Sequence, residues 1–176
     1  MSIESDFLET AAAKLEQNLQ RIETCVLKLP DGLLWARASE NENAVGNLLM
    51  HLEGNVRQWI LSGIGSLPDR RDRSGEFAAR SGLGAETLVE NLARTLRAAI
   101  PLIHELPHTR LTEQLSVQGY EVSVLAAIFH VVEHFSGHTY QIILLTKRAT
   151  GEDLGFYSNL AKTGRRETDA QSRLNP

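Results

Sequence analysis

Three of the chain's six histidines recur at every fourth position within one apolar stretch. They are His130, His134 and His138, in the segment "FHVVEHFSGHTYQIILLTK" at residues 129–147. Positions four apart differ by about 40° around a helix, so His134 and His138 project from one face on successive turns. Two imidazoles placed in this way can chelate one metal ion. His130 lies about 80° from His138, so all three cannot easily reach one atom.

A metal ion normally needs more than two protein ligands, and another helix offers a candidate. His51 lies beside the apolar stripe of "AVGNLLMHLEGNVRQWILSGI", one turn after Leu48. If the two helices are neighbours, His51 could converge with His134 and His138. Three neutral imidazoles suit Zn, Ni, Cu or Fe better than Mg or Ca, and they leave a position open for water or substrate. A histidine beside an apolar face is also often a hydrogen-bonded core residue, so spacing alone leaves both interpretations open.

The elements that must position these histidines are predicted by hydrophobic periodicity. Apolar residues at three- and four-residue steps predict four main helices. The second helix is expected to begin near "SENEN" (Ser39–Asn43), which offers capping side chains, and to end at Gly63 or Gly65. Pro101 is expected to kink the third helix or end it early. The other three helices are predicted at about residues 3–29, 85–105 and 123–149.

Two segments between the helices break this periodicity. Residues 65–84 are rich in Gly, Pro, Ser and charge and predict a long loop, of a length that is often functional or mobile. Residues 106–122 alternate weakly, which predicts an extended segment or a short hairpin. Four helices with one long loop indicate an all-α four-helix bundle.

The composition is that of an ordinary globular chain, with 42% hydrophobic and 23% charged residues. The formal net charge of -4 gives no electrostatic reason to expect nucleic acid or an anionic membrane as a partner. No segment reaches the roughly 18 uninterrupted apolar residues of a membrane span. The N-terminus does not resemble a secretory signal, so we expect a cytoplasmic protein. Cys25 is the only cysteine, which excludes an intrachain disulfide, and we expect it to be packed rather than reactive.

Two patterns match functional motifs only superficially. "HELPH" at residues 104–108 fits the His-Glu-x-x-His pattern of zinc proteases, which requires an unbroken helix. Pro107 lies inside the match and Pro101 just before it, so we interpret it as chance. "DRRDR" at residues 69–73 is basic but interleaved with Asp, which predicts a solvated loop rather than a nucleic-acid patch.

The histidine segments resemble a known superfamily. "HVVEHFSGHTYQI" is similar to the last-helix motif of the DinB-like metal-binding superfamily, His-x-x-x-His-x-x-x-His followed by Arg-Gly-Gln-Ile. "NLLMHLEGNVRQWI" resembles an earlier helix of that superfamily, which carries one ligand histidine. Helix order and spacing are similar from residue 3 to about 149, and "GEDLGFYSNL" fits an uncharacterised branch.

The resemblance implies an up-down-down-up four-helix bundle at residues 1–160, followed by a polar tail at 161–176. It implies one divalent transition metal ion, such as Zn, Ni or Fe, and a homodimer. Transferred residue by residue, the metal ligands are His51, His134 and His138. Gln141 matches the Gln of the motif and His130 its first His. Thr139 and Tyr140 replace the Arg-Gly pair, so no role of that Arg can be transferred.

Characterised DinB-like proteins use low-molecular-weight thiols, so the resemblance implies a metal-dependent S-transferase that joins a small-molecule thiol to an electrophile. Gln141, His130 or Asn55 could orient a ligand or a metal-bound water, and the loop at 65–84 could shape the substrate mouth. One alternative is a metal-dependent hydrolase with Glu121 or Glu53 as base. The other is a stress-related bundle that binds metal without catalysis.

Overall fold

The computed structural model describes residues 2–30 and 32–158. Four long helices dominate, and the all-α bundle predicted from the sequence is confirmed. The predicted boundary at residue 160 and the predicted tail at 161–176 lie outside the described residues. The elements are α1 (Ile3–Lys28), α2 (Val45–Val56), α3 (Arg73–Ala78), α4 (Ala85–His104), β1 (Gln114–Val117), β2 (Tyr120–Ser123) and α5 (Val124–Thr150).

Side-chain caps fix where the histidine-bearing helices begin. The hydroxyl of Ser123 accepts a hydrogen bond from the amide of Ala126 at the start of α5. α2, expected to begin near "SENEN", begins at Val45, two residues after Asn43, and the capping role expected of the "SENEN" side chains is wrong. The cap comes instead from inside the helix, where the Asn47 side chain accepts a hydrogen bond from the amide of Ala44.

The four long helices form a ring in the order α1, α4, α2, α5. α1 packs against α4 and α5, and α2 packs against the same two helices. α1 therefore lies diagonally opposite α2, and α4 opposite α5. α1 runs parallel to α5, as the contacts Asn18–Ser136 and Arg21–Tyr140 show. α2 runs parallel to α4, as Glu53–Thr95 and Gly65–Leu102 show, and antiparallel to α5, as His51–His138 and Trp59–His130 show. This is the up-down-down-up order.

The hydrophobic core lies inside this ring and fixes the rotation of each helix. All four long helices contribute fully buried apolar side chains, and their removal from water stabilises the bundle. No helix of the described part of the chain is long and apolar enough to cross a membrane. Large fully buried residues are Leu15, Ile22, Leu48, Leu49, Leu52, Ile60, Leu92, Leu96, Ile103, Ile128, Phe135 and Ile142.

After α2 the chain continues as a π-helix over Arg57–Ile64. The predicted end of this helix near Gly65 is confirmed, but the wider turn was not predicted. Such segments are rare and are frequently found at functional sites. The hairpin β1–β2 packs beside this segment, which confirms the hairpin expected at 106–122. At the hairpin turn, the side-chain amide of Gln118 donates to Gln58 of the π-helix.

The segment 65–84, predicted as a long loop, contains the short helix α3. The carboxylate of Asp72 caps it by accepting from the amide of Gly75. The side-chain amide of Asn47 in α2 donates to the backbone carbonyls of Glu76 and Ala79, at 2.8 and 2.9 Å. These bonds hold α3 against α2, one turn before His51.

Candidate metal centre

Three histidines from two helices meet at one point in the seam between α2 and α5. The Nε2 atom of His134 lies 2.9 Å from that of His51 and 3.2 Å from that of His138. One ring nitrogen of each residue lies within 4.8 Å of the others. In a tetrahedral zinc site with Zn–N bonds of about 2.0–2.1 Å, neighbouring ligand nitrogens lie about 3.3 Å apart. The spacing of the three imidazoles therefore fits a single ion.

The hydrogen bonds of the outer ring nitrogens decide which nitrogens face the centre with lone pairs. The Nδ1 of His51 lies 2.9 Å from a carboxylate oxygen of Glu76, which can only accept, and 3.1 Å from Nη2 of Arg71, which can only donate. Because Nη2 already donates to Glu76 at 2.8 Å, we assign the proton to Nδ1, which donates it to Glu76 over the shorter distance. The Nδ1 of His138 likewise donates to the side-chain oxygen of Gln141 at 2.7 Å. Both Nε2 atoms are then lone-pair donors that point towards His134.

His134 cannot satisfy both neighbours by hydrogen bonding. Burial, with smaller contributions from the charges of His138 and His51, lowers the pKa of His134 to about 3, so its imidazole is neutral at neutral pH. A neutral imidazole carries one proton and can donate it to only one of the two facing nitrogens. Its buried Nδ1 has no hydrogen-bond partner among the described residues. A cation bound by three Nε2 lone pairs removes this conflict and leaves the His134 proton on Nδ1, so the donor set fits a metal ion.

Burial also lowers the pKa of His138, against the opposing effect of its bond to Gln141. Neutral histidine is the form that binds transition metals. The low pKa values of His134 and His138 therefore keep both residues ready to bind over the whole neutral range.

A buried ion pair between Arg71 and Glu76, in the segment 65–84, contacts the Nδ1 side of the His51 ring. Glu76 accepts two hydrogen bonds from the guanidinium of Arg71, at 2.7 and 2.8 Å, and a third from His51. Burial would raise the pKa of Glu76, but the bonds from Arg71 and His51 outweigh it and hold that pKa below its ordinary value. The carboxylate of Glu76 therefore stays ionised beside His51.

The expectation that "DRRDR" is a solvated loop is wrong for its central arginine. The side chain of Arg71 is only 2% exposed. Neither Arg71 nor Glu76 was singled out from the sequence, because the segment that carries them has no periodicity. One signal was available: Gly54 interrupts α2 within "LEGNV", and a glycine inside a helix often marks a close approach.

The three side chains expected to orient a ligand lie in different surroundings. Gln141 contacts His138, as described above. His130 stacks on Trp59, with ring centroids 4.2 Å apart, and its centroid lies 5.5 Å from that of His134. Asn55 is buried in α2, and its side-chain oxygen has no partner among the described residues. The structure thus brings Gln141 and His130 next to the histidine cluster, whereas no contact of Asn55 with it is observed.

Two cavities flank the centre. The larger, of about 450 Å³, lies on the far side of α2, where Arg71 and Glu76 form part of its wall and no histidine lines it. The smaller, of about 300 Å³, is lined by Gln141, Leu48 and Arg148 among others. Neither cavity is lined by a histidine, and each reaches the cluster through one bonded residue. Glu76 of the larger cavity contacts His51, and Gln141 of the smaller cavity contacts His138.

The remaining candidates from the sequence lie away from the cluster. Glu53 bonds to Thr95 of α4, on the opposite side of α2 from His51, and Glu121 is exposed in the hairpin. The thiol of Cys25 is fully buried in α1, and burial raises its pKa. In "HELPH", α4 ends at its first histidine and Pro107 precedes a 3-10 turn, so the helix that the protease motif requires is broken.

Comparisons with known proteins agree with the fold. A conserved protein from Enterococcus faecalis superposes with a TM-score of 0.68 at 12% identity, over 86% of this chain and 99% of the other. A DinB-like protein from Bacillus cereus superposes with a TM-score of 0.62 at 19% identity, over 81% of this chain and 90% of the other. These likenesses show the fold, and the DinB-like bundle predicted from the sequence is confirmed.

No curated protein matches the chain. The profile of one family, described as "Protein of unknown function (DUF1572)", matches residues 2–160. That match runs through both histidine-bearing helices and through the segment that supplies Arg71 and Glu76. The chain therefore belongs to the DUF1572 family, and it has the fold of a DinB-like protein.

Proposed function

We propose that this protein is a divalent-metal-dependent enzyme that transfers a low-molecular-weight thiol to an electrophilic small molecule. One observation carries the proposal: one ring nitrogen from each of His51, His134 and His138 lies within 4.8 Å of the others. Three histidine ligands leave coordination positions open, as catalytic sites do, whereas structural sites are usually closed by four protein ligands.

The protein's own residues would bind and orient the reactants. His51, His134 and His138 would hold a Zn, Ni or Fe ion, which supplies Lewis acidity that favours the thiolate form of a coordinated thiol. In the transfer, the sulfur forms a bond to the electrophilic carbon, and the leaving group departs with the electron pair of the broken bond. The proton of the thiol is released to water.

The cavity beside Gln141 supports a small-molecule cosubstrate. Its volume of about 300 Å³ lies at the lower end of the range of ligand pockets. Leu48 and Leu144 give it apolar walls, and Arg148 places a positive charge at its edge. A thiol whose sulfur reaches the histidines could rest its remaining atoms there.

The hydrolase alternative has less support from the geometry. It needs a carboxylate that can accept a proton from water at the metal centre. Glu53 and Glu121 lie elsewhere, as described above. Glu76 is close, but its oxygens are taken by Arg71 and His51. The experiment must also distinguish the transferase from a protein that binds metal without catalysis.

Metal content and thiol transfer test the proposal together. Elemental mass spectrometry of the purified protein is expected to find close to one transition metal ion per chain. The variant His134→Ala should lose the ion, and His104→Ala, at an exposed histidine outside the cluster, should keep it. The loaded protein is then incubated with a panel of thiols and a haloarene or an epoxide.

Thiol-dependent product that disappears in His134→Ala supports the transferase. Product formed without any thiol indicates the hydrolase instead. Bound metal without turnover of any substrate indicates a binding protein. Equal metal content in His134→Ala and the parent protein contradicts the metal centre itself.

We also propose that the chain forms a homodimer through α5. Leu125, Phe129, Tyr140 and Leu144 are large, exposed and on one side of that helix, at 42%, 59%, 49% and 57% exposure. An apolar stripe of this kind often marks a protein interface. Analytical ultracentrifugation is expected to show a dimer that Phe129→Glu dissociates. A monomeric parent protein contradicts this proposal.

A further inference from the structure

The ion pair of Arg71 and Glu76 lies almost wholly out of water. The side chains are 2% and 7% exposed, and two hydrogen bonds of 2.7 and 2.8 Å join them. Their carboxylate makes one further side-chain bond, to the Nδ1 of His51 at 2.9 Å. The pair therefore links the segment 65–84 directly to a candidate metal ligand.

α2 is shaped to receive this pair. A Cβ atom built on Gly54 would lie 2.1 Å from Oε1 of Glu76 and 2.9 Å from Nε of Arg71. Only glycine leaves room at this position. The guanidinium also donates to the side-chain oxygen of Gln58 at 3.0 Å, one turn further along the helix. Three positions, His51, Gly54 and Gln58, thus bind or make room for the pair.

Stability alone does not account for a buried ion pair. Removing two charges from water is costly, and apolar residues of similar volume often stabilise a fold equally well or better. The pair is placed where its orientation has a chemical effect, since an imidazole can bind a metal through Nε2 only when its single proton is on Nδ1. A carboxylate beside Nδ1 enforces that tautomer.

We propose that Arg71 and Glu76 are positioning residues of the metal centre. Glu76 accepts the Nδ1 proton of His51 and fixes both the tautomer and the orientation of the ring. Arg71 holds Glu76 in place. The role in metal retention depends on the metal centre proposed above, but not on thiol chemistry. The segment 65–84 is accordingly a structural part of the centre rather than only its mouth.

The pair can be removed without leaving an unpaired buried charge by the double substitution Arg71→Met and Glu76→Leu. Glu53→Gln is the matched control, because Glu53 is also ion-paired, with Arg57, and bonds to α4 rather than to a histidine. Thermal unfolding of the metal-free proteins reports whether each variant folds. Zinc affinity is measured by competition with a chromogenic chelator, and the coordination geometry by the visible absorption of the Co(II)-loaded protein.

The double variant is expected to fold, to bind zinc about 10- to 100-fold more weakly and to show shifted Co(II) bands. The control should match the parent protein in both measurements. Parent-like affinity and spectrum in the double variant would overturn the proposal. If the double variant does not fold, Glu76→Gln decides: weaker zinc binding supports the positioning role, and unchanged binding overturns it.

A second measurement needs no metal. Long-range proton–nitrogen correlation spectra of the metal-free protein report the tautomer of His51. The parent protein should be protonated at Nδ1, and the double variant should show a mixture of tautomers. A parent protein that binds no metal contradicts the proposed function, whereas protonation of His51 at Nε2 contradicts the role of Glu76, so the two failures are distinguishable.

Discussion

The Nε2 atoms of His51 and His134 lie 2.9 Å apart, although 83 positions separate the two residues in the chain. One belongs to α2 and the other to α5, and the packing of these two helices brings them together. An ion bound between them therefore joins two helices, and it can bind with this geometry only to the folded protein. Binding to the folded state alone increases stability.

We expect Zn²⁺ to raise the thermal midpoint of the parent protein. At a free concentration one hundred times the dissociation constant, the gain is about 2.7 kcal/mol. His134→Ala should remove the shift, because only two of the three ligands remain. Scanning calorimetry with and without zinc measures it, with His104→Ala as control. Equal shifts in parent and His134→Ala would show that zinc stabilises through another site.

Gly54→Ala should destabilise the protein, against the usual trend. Replacing glycine by alanine inside a helix normally stabilises it by up to about 1 kcal/mol. At position 54 the added Cβ meets the side chains of Glu76 and Arg71. Gly137→Ala in α5 is the control, since nothing lies within 4 Å of its added Cβ and it should follow the trend. Urea unfolding of both variants gives the comparison, and a stabilised Gly54→Ala would contradict the close packing described here.

Asn47→Asp should loosen the segment 65–84. The substitution keeps the size of the side chain but removes the donor to the carbonyl oxygens of Glu76 and Ala79. Leaving the carbonyl of Glu76 unsatisfied costs about 1–3 kcal/mol, whereas the carbonyl of Ala79 keeps a hydrogen bond from Arg37. Trypsin should then cleave faster after the exposed Arg70, Arg73 and Arg80. The control Asn41→Asp lies at an exposed position and should digest like the parent protein; equal rates in all three proteins would exclude this anchoring role.

Cys25 should be unreactive in the native protein. Its side chain is fully buried, and burial raises the pKa of the thiol, so little of the reactive thiolate forms. Reaction with a chromogenic disulfide at pH 8 is expected to follow the rate of unfolding and to become fast in urea. Rapid modification of folded protein would show that α1 is not packed as described.

The same raised pKa gives stability a defined dependence on pH. The unfolded thiol ionises above about pH 8.5, whereas the folded thiol keeps its proton to higher pH. Between these two pKa values the folded state binds more protons, so stability falls as pH rises. The fall in unfolding free energy between pH 7.5 and 9.5 should be smaller in Cys25→Ala. An identical fall in both proteins would exclude a contribution from this residue.

The bundle could be predicted from the sequence because apolar residues recur at helical steps. Apolar steps placed α1, α4 and α5 to within a residue or two of their observed ends. The same steps indicated that His134 and His138 share a face. The meeting of His51 with them depended on which helices are neighbours, and that followed from the family resemblance rather than from spacing. Whether the three residues bind metal is still a prediction.

The parts that sequence reasoning missed have no local pattern. The charge of Arg71 suggested a solvent-exposed loop, but a partner five positions away and a glycine on another helix allow it to be buried. The π-helical turn of Arg57–Ile64 also has no sequence signature of its own. The burial of Arg71 arises from packing between segments, which a one-dimensional pattern does not contain.

The narrow space at Gly54 also couples three positions in any sequence that keeps this centre. A larger residue at position 54 would meet Glu76 and Arg71, so the glycine and the buried pair constrain each other. We therefore expect substitutions of the glycine to be tolerated more easily in sequences that lack the pair than in sequences that keep it.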